Sequence, residues 1–220
     1  MAIRILNVNE QILSANDKLA EGLRSRFKQS RVFVMNLMAS PGAGKTSVIL
    51  RVIESLSDKL KIGVIEGDIA SDVDARKIEQ ANVDVVQINT QGACHLDANM
   101  ILSAVDSLGL DGRGLLIIEN VGNLVCPAEF NLGENMKVMI LSVPEGHDKP
   151  LKYPLMFTES NALILNKIDL LPYTDFDVDA LKKTVLAMNP LMTIFPVSAK
   201  TGEGIAEFTE WLSSKVADLG

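Results

Sequence analysis

The segment Ser40-Pro41-Gly42-Ala43-Gly44-Lys45-Thr46 lies between an apolar run, residues 32–38, and a stretch of helical periodicity reaching about Leu60. A Gly-rich turn that closes a strand and opens a helix is the setting of a phosphate-binding P-loop. Glycines let backbone N–H groups turn inward around phosphate oxygens. The positive end of the following helix faces the same anion. Gly42, Ala43, Gly44, Lys45, Thr46 and Ser47 are the expected phosphate contacts. Lys45 reaches the β- and γ-phosphates, and the Thr46 hydroxyl holds Mg²⁺. The full pattern has Gly five residues before Gly44; here that position is Ala39.

The rest of the chain repeats the strand–helix alternation. Val8, Ile12, Ala15, Leu19, Leu23 and Phe27 recur at helical spacing. Strands are expected over residues 62–65, 83–88, 115–118, 138–143, 162–165 and 192–197. Helices are expected over 72–82, about 95–108, 178–188 and 205–216. Continuous apolar runs such as residues 115–118 suit strands buried on both faces. Strands alternating with helices predict parallel crossovers. The expected fold is α/β, a three-layer αβα sandwich on a mainly parallel sheet, a P-loop NTPase. No linker or repeat interrupts residues 1–220, so one domain is expected, with residues 1–31 as an N-terminal helical segment packed on it.

Two carboxylates end strands near that loop. Glu119 follows residues 115–118, and Asp68 follows the second expected strand. Either is placed to hold Mg²⁺, directly or through water, or to orient a water. Asp68 is the preferred residue for the attacking water, with Asp72 and Glu119 left open. Gly122, three residues past Glu119, matches a loose Glu-x-x-Gly switch whose glycine N–H meets a γ-phosphate. Downstream, Asn166-Lys167-Ile168-Asp169 follows another strand. A carboxylate at Asp169 accepts from guanine N1–H and its 2-amino group; adenine offers neither donor. A site built to hydrogen-bond a substrate group rejects analogues lacking it by about 10⁴-fold or more. Asn166 is expected at the other edge of the base and the Lys167 stem over a ring face. Ser198-Ala199-Lys200 closes the pocket after the next strand. GTP and GDP are the expected nucleotides, and Lys45, Asp68 and Glu119 the catalytic set.

The chain has two cysteines and two histidines in 220 residues. Two cysteines exclude a disulfide scaffold and a self-contained four-cysteine zinc ribbon. Yet Cys94 and His95 are adjacent, and Cys126 lies four residues past Gly122. Thiolate and imidazole together suit Zn²⁺ or Ni²⁺. A small buried hydrophobe is the commonest fate of a free cysteine, so both readings stay open on residue types alone. Three ligands fall short of the usual four, and a two-fold dimer supplies the remainder.

These residues together resemble a known family, the hydrogenase nickel-incorporation GTPases called HypB. The resemblance rests on residues 92–98, 119–128 and 145–150, on Glu66-Gly67-Asp68 with Asp74-Ala75, and on the P-loop and Asn166–Asp169 segments. It covers the chain from about Val32 onward. It implies a SIMIBI-class GTPase that dimerises with GTP and hydrolyses it slowly. It implies Ni²⁺ or Zn²⁺ on Cys94, His95 and Cys126, with Mg²⁺ on Thr46, Asp68 and Glu119. It also implies delivery of nickel to the large-subunit precursor of [NiFe]-hydrogenase, with HypA and, in some organisms, SlyD as partners. The end of the Glu66-Gly67-Asp68 segment corresponds to switch I, which often has Thr where Ser71 stands and Arg where Lys77 stands. Residues 119–123 correspond to switch II. The N-terminal cysteine motif and His-rich tract of fuller members are absent from this sequence, so no separate nickel store is expected.

Alternatives remain: a urease-type nickel chaperone, whose metal motif is typically Cys-Pro-His, a cobalamin-enzyme chaperone, or a passive zinc-stabilised dimeric binding module. Lys and Arg total 21 against 28 Asp and Glu, a net charge of −7. That balance argues against nucleic acid as a partner. Apolar runs are strand-length, well under the ~20 residues of a membrane span. No signal peptide is visible, so no membrane partner and a cytoplasmic location are expected.

Overall fold

The computed structural model describes residues 8–68 and 73–219. Its elements run in chain order as α1 (Val8–Ser30), β1 (Phe33–Ala39), α2 (Lys45–Leu56), β2 (Ile62–Asp68), α3 (Val73–Glu79), β3 (Asp84–Asn89), α4 (Ala98–Leu108), β4 (Leu115–Glu119), α5 (Cys126–Glu129) and β5 (Met136–Ser142). There follow α6 (Lys149–Lys152), α7 (Pro154–Glu159), β6 (Ala162–Asn166), α8 (Val178–Met188), β7 (Thr193–Pro196) and α9 (Ile205–Ala217). Ser71, named above for switch I, and Asp72, left open for the attacking water, lie outside the described residues.

The strands form one seven-stranded sheet in the order β3-β2-β4-β1-β5-β6-β7, and every pairing is parallel. Successive β1 side chains point to opposite faces. Phe33, Met35 and Leu37 pack with Val48, Ile49 and Val52 of α2 and with Phe208 and Leu212 of α9. Val34, on the other face, packs with Leu23 and Phe27 of α1 and with Ile101 and Val105 of α4. Farther along that face Met139, Leu141 and Leu163 meet Met156 and Phe157 of α7 and Leu181 and Val185 of α8. Both sheet faces are therefore covered, which is why β4 and β6 are apolar up to their last residue and β1 and β5 are broken only by Asn36 and by Lys137 with the terminal Ser142. Each buried Leu, Ile or Phe contributes roughly 1.5–3 kcal/mol.

The chain winds from β1 outward to β3, returns through β4, then crosses β1 to continue at β5. The strand order reverses at β1, and ligands of open parallel sheets sit at the carboxyl ends beside such a reversal. The P-loop leaves β1 at that point.

Several boundaries differ from the sequence expectation for local reasons. Helix α4 starts at Ala98 rather than His95, because the Asp97 carboxylate caps it by accepting from Met100 N at 2.8 Å. His95 thus sits in the loop before the helix. Helix α2 ends at Leu56, four residues short of Leu60. The region containing Pro144, Pro150 and Pro154, whose closely spaced prolines alone would signal a loop, folds into a 3₁₀ turn (Val143–Glu145) and the short helices α6 and α7. Each carries its proline in the first turn, where the missing N–H is no loss. Among the described residues no helix is long and apolar enough to cross a membrane.

Candidate nucleotide and metal sites

Strand β1 ends at Ala39, whose side chain is buried in the core under α2. Ala39 stands where the pattern has Gly and fits there as a core residue. Gly42 and Gly44 take φ of 76° and 101°, left-handed values that favour glycine. A methyl on Gly44 would come within 2.5 Å of Asn166 Nδ2, so the loop also needs Gly for space. Gly44 caps α2 without a side chain, and the first turn of α2 carries no acid. Its N–H groups and dipole are accordingly available to an anion.

The base side is a cavity of about 460 Å³ lined by Gly44, Ser47, Asn166, Lys167, Asp169, Leu170, Ala199 and Lys200. Asn166 is 2% exposed. Its Nδ2 donates to Ala43 O at 2.9 Å and its Oδ1 accepts from Ala199 N at 3.1 Å. The tetrapeptide pattern places Asn166 against the base edge; in the structure its amide also joins the P-loop to the Ser198–Lys200 loop through one N–H and the oxygen. Lys167, at φ 63°, donates from Nζ to Gly42 O at 2.7 Å, so its stem crosses the cavity mouth. Ser198 Oγ donates to Asp169 Oδ1 at 2.7 Å, which fixes the carboxylate expected to read guanine. Arg51 belongs to no sequence motif, yet it serves this site. From α2 its Nε donates to Ala199 O at 2.8 Å and its Nη2 to Lys200 O at 3.1 Å, clamping the same loop.

Below the phosphate loop, Glu119 accepts from Thr46 Oγ1 at 3.0 Å. Its other oxygen, Oε2, is buried without a hydrogen-bond partner. Glu66 is the register partner of Glu119 across β2 and β4, and its Oε2 is equally orphaned. Both residues are 3% exposed. Burial and the neighbouring Glu119 push the Glu66 carboxyl up to about 8. Burial raises Glu119 to about 7 against the opposing pull of Lys45 and Thr46. Buried polar atoms are rarely left unpaired, and two orphaned carboxylate oxygens beside a hydroxyl make a donor set of hard oxygens suited to Mg²⁺. Thr46 and Glu119 fit that ion by position, and Asp68, at the end of β2 beside them, extends the set. Glu66 is visible in the sequence only within a motif; its role as partner of Glu119 depends on a register no local pattern encodes.

The thiols and imidazole converge. Ligand atoms of Cys94, His95 and Cys126 all lie within 4.8 Å of one another. Cys94 Sγ is 3.0 Å from Cys126 Sγ and 3.6 Å from His95 Nδ1. Both thiols are free, with Cys94 exposed and Cys126 half-buried. That placement departs from two separate core cysteines. The His95 ring stacks on Phe130, centroids 3.8 Å apart. Burial lowers the His95 pKa, favouring the neutral imidazole a metal needs. Hydrogen bonding with the Cys94 thiol, and then burial, raise Cys126. A metal must displace that proton, so binding here releases protons. His147, in contrast, accepts from Asp177 N at 3.2 Å and meets the edge of Phe176, away from this cluster.

Fold and site together define a P-loop nucleotide-binding protein of the SIMIBI class. Residues 33–196 match the family described as CobW/HypB/UreG, nucleotide-binding domain. A hydrogenase maturation factor HypB from Rhizobium leguminosarum bv. viciae is 49% identical over 214 residues, 97% of this chain and 72% of that protein. The crystal structure of HypB from Helicobacter pylori in complex with nickel superposes with a TM-score of 0.88 at 39% identity, covering 93% of this chain and 96% of that one. The signal recognition particle receptor FtsY from Elizabethkingia anophelis, in complex with GDP, shares the fold at a TM-score of 0.54 and 17% identity, covering 86% and 69% of the two chains. The chain belongs to the CobW/HypB/UreG family and, within it, to the HypB hydrogenase maturation factors.

Proposed function

We propose that the protein is a GTP-hydrolysing nickel chaperone whose nucleotide state controls a thiol–imidazole metal site. The observation that carries this reading is the Cys94–His95–Cys126 cluster, carried after β3 and β4 at the same carboxyl edge of the sheet where the phosphate loop leaves β1. The nickel complex of the Helicobacter pylori relative supports Ni²⁺ as cargo, and Zn²⁺ suits the same donors. GTP binds with its phosphates against Gly42, Ala43, Gly44, Lys45, Thr46 and Ser47. Its base lies between Lys167 and the Ser198–Lys200 loop, with guanine read by Asp169. Thr46, Glu119 and Asp68 would hold Mg²⁺, which would supply neutralising charge for the phosphates.

The chain's own groups then carry the reaction. Lys45 stabilises negative charge gathering on the γ-phosphoryl and bridging oxygens. Asp68 orients the water for in-line attack. Gly122 N–H closes on the γ-phosphate, and hydrolysis releases it, moving residues 122–126 and with them Cys126. Two GTP-bound copies meet on a two-fold axis and pool their thiolates and imidazoles, supplying the ligands one chain lacks. Nickel passes between a HypA-type chaperone, SlyD where present, and the hydrogenase large-subunit precursor.

Two measurements test this. Purified protein is expected to hydrolyse GTP over many slow turnovers and ATP far less well; absence of any multiple turnover would leave only a passive binding module. Ni²⁺ binding by the parent is expected to fall at least tenfold in Cys94→Ala and in Cys126→Ala. Undiminished affinity in both would remove the cluster from the function.

A further inference from the structure

We infer that Asn16 of α1 is a positioning residue for the Cys94–His95–Cys126 metal site, an inference that rests on reading that cluster as a metal site. Asn16 is 7% exposed, a buried amide on the face of α1 that covers the sheet. Its Oδ1 accepts from Ala98 N at 2.8 Å, three residues past His95. Its Nδ2 donates to Asn131 O at 2.8 Å, five residues past Cys126 and next to Phe130. A single side chain thus ties the segment carrying Cys94 and His95 to the segment carrying Cys126. The His95–Phe130 stack joins the same two segments on the ligand side.

The neighbourhood reinforces that bridge. Asn131 Nδ2 donates back to Asp17 Oδ1 at 2.8 Å, one residue along α1. Gly133, at φ 82°, approaches α1 so closely that a methyl there would lie 2.8 Å from Ala20 O. Residues 131–133 are therefore seated on α1 and cannot drift without breaking these contacts. Ala98 N is a first-turn donor of α4 with no partner inside that helix. Asn16 fills it and sets where the preceding loop, with Cys94 and His95, leaves the helix. Residues outside the ligand shell that orient ligands typically change metal affinity by 10- to 100-fold when removed. The proposed geometry makes α1 the floor against which the two ligand segments keep their spacing.

The test uses the full chain and Ni²⁺ alone, read by competition with a chromogenic chelator and by the thiolate-to-nickel charge-transfer absorption. Asn16→Asp keeps the acceptor for Ala98 N and loses the donor to Asn131. It is expected to lower Ni²⁺ affinity about tenfold and to shift or weaken the charge-transfer band, with GDP affinity unchanged. Asn16→Ala, losing both bonds, is expected to lose more. In the unmodified protein, Ni²⁺ is expected to slow hydrogen exchange at the Ala98 amide, a readout that needs no variant. Parent-like nickel affinity and absorption in both variants would overturn the inference, as would an Ala98 amide indifferent to nickel. Parallel losses of nickel and GDP affinity would also overturn it, marking Asn16 as a general fold residue. If Cys94→Ala and Cys126→Ala both bind Ni²⁺ as the parent does, the cluster reading fails and takes this inference with it. If binding needs Cys126 but ignores Asn16, the inference alone fails.

Discussion

Leu96 N donates to Asn120 Oδ1 at 3.2 Å, so the residue after His95 hangs from the residue after Glu119. Asn120 is fully buried and is held in turn through Nδ2 to Asn36 Oδ1 at 3.2 Å. Thr46 donates to Glu119 on one side of this turn and the loop carrying Cys94 and His95 hangs from the other. The nucleotide-side contacts and the Cys94–His95 loop therefore share one strand end. A nucleotide that rearranges residues 119–122 must move Leu96 or break its bond.

That relationship predicts coupling. Ni²⁺ affinity is expected to differ severalfold between the GDP form and a form with a non-hydrolysable GTP analogue, within the 5- to 150-fold range typical of linked sites. By linkage, nickel changes the GTP-analogue-to-GDP affinity ratio by the same factor. Asn120→Ala is expected to shrink that factor while leaving both sites able to bind. Chelator competition in each nucleotide state checks it, and identical affinities in the two states would refute the shared-strand account.

The Glu66–Glu119 pair predicts the pH response of the nucleotide-free protein. Folding raises both carboxyls, to about 8 and about 7, from 4.5. A carboxyl raised on folding binds its proton more tightly in the native state, so its stabilisation is full below the unfolded pKa and is lost as pH rises through the folded one. Thermal midpoints are accordingly expected to fall between pH 5 and 8. Glu119→Gln is expected to flatten the curve, because its amide needs no proton and still accepts from Thr46. A midpoint that rises with pH, or a curve unchanged by Glu119→Gln, would contradict the placement of these carboxyls.

The sheet and both nucleotide motifs were legible because strand and loop signals are local: apolar runs, a Gly-rich turn, a tetrapeptide at a strand end. The Cys94–His95–Cys126 cluster was legible as two sequence segments, since both cysteines fall in them. What stayed hidden depends on contacts across the chain. Asn16 is one polar position beside Ala15 in a helical repeat, and nothing local points it at Ala98 and Asn131. Arg51 sits mid-helix among apolar neighbours, and only the return of residues 199–200 gives it a role. Helices α6 and α7 are too short to show a period, and their prolines mimic a loop.

Base selectivity is expected to follow Asp169. Its carboxylate, held by Ser198 Oγ, offers two acceptors. Asp169→Asn replaces one by a donor, which opposes the 2-amino group of guanine and suits the 2-oxo group of xanthine. GTP affinity is expected to fall by about 10² or more, and XTP affinity to rise above the parent's. Competition binding with the two triphosphates measures the exchange. Unchanged preference for GTP would place the base elsewhere than the cavity beside Lys167 and Ala199.

Gly122 offers the most direct check on the switch. A methyl at its Cα would lie 3.1 Å from Pro41 N, Cα and Cγ. Two of those atoms are P-loop backbone, so Gly122→Ala has to open this contact by a few tenths of an ångström, between its own turn and the loop. That turn is the one proposed to bring an N–H to the γ-phosphate, whereas GDP places no group there. Gly122→Ala is therefore expected to weaken a non-hydrolysable GTP analogue at least tenfold, about 1.4 kcal/mol, and to leave GDP within about twofold. The fold should persist, since Gly122 is partly exposed and outside the core. Because Cys126 follows four residues later, the difference in nickel affinity between the two nucleotide forms should narrow in the same variant. Equal losses for the GTP analogue and GDP would mean that residue 122 supports the P-loop in both states and senses no γ-phosphate.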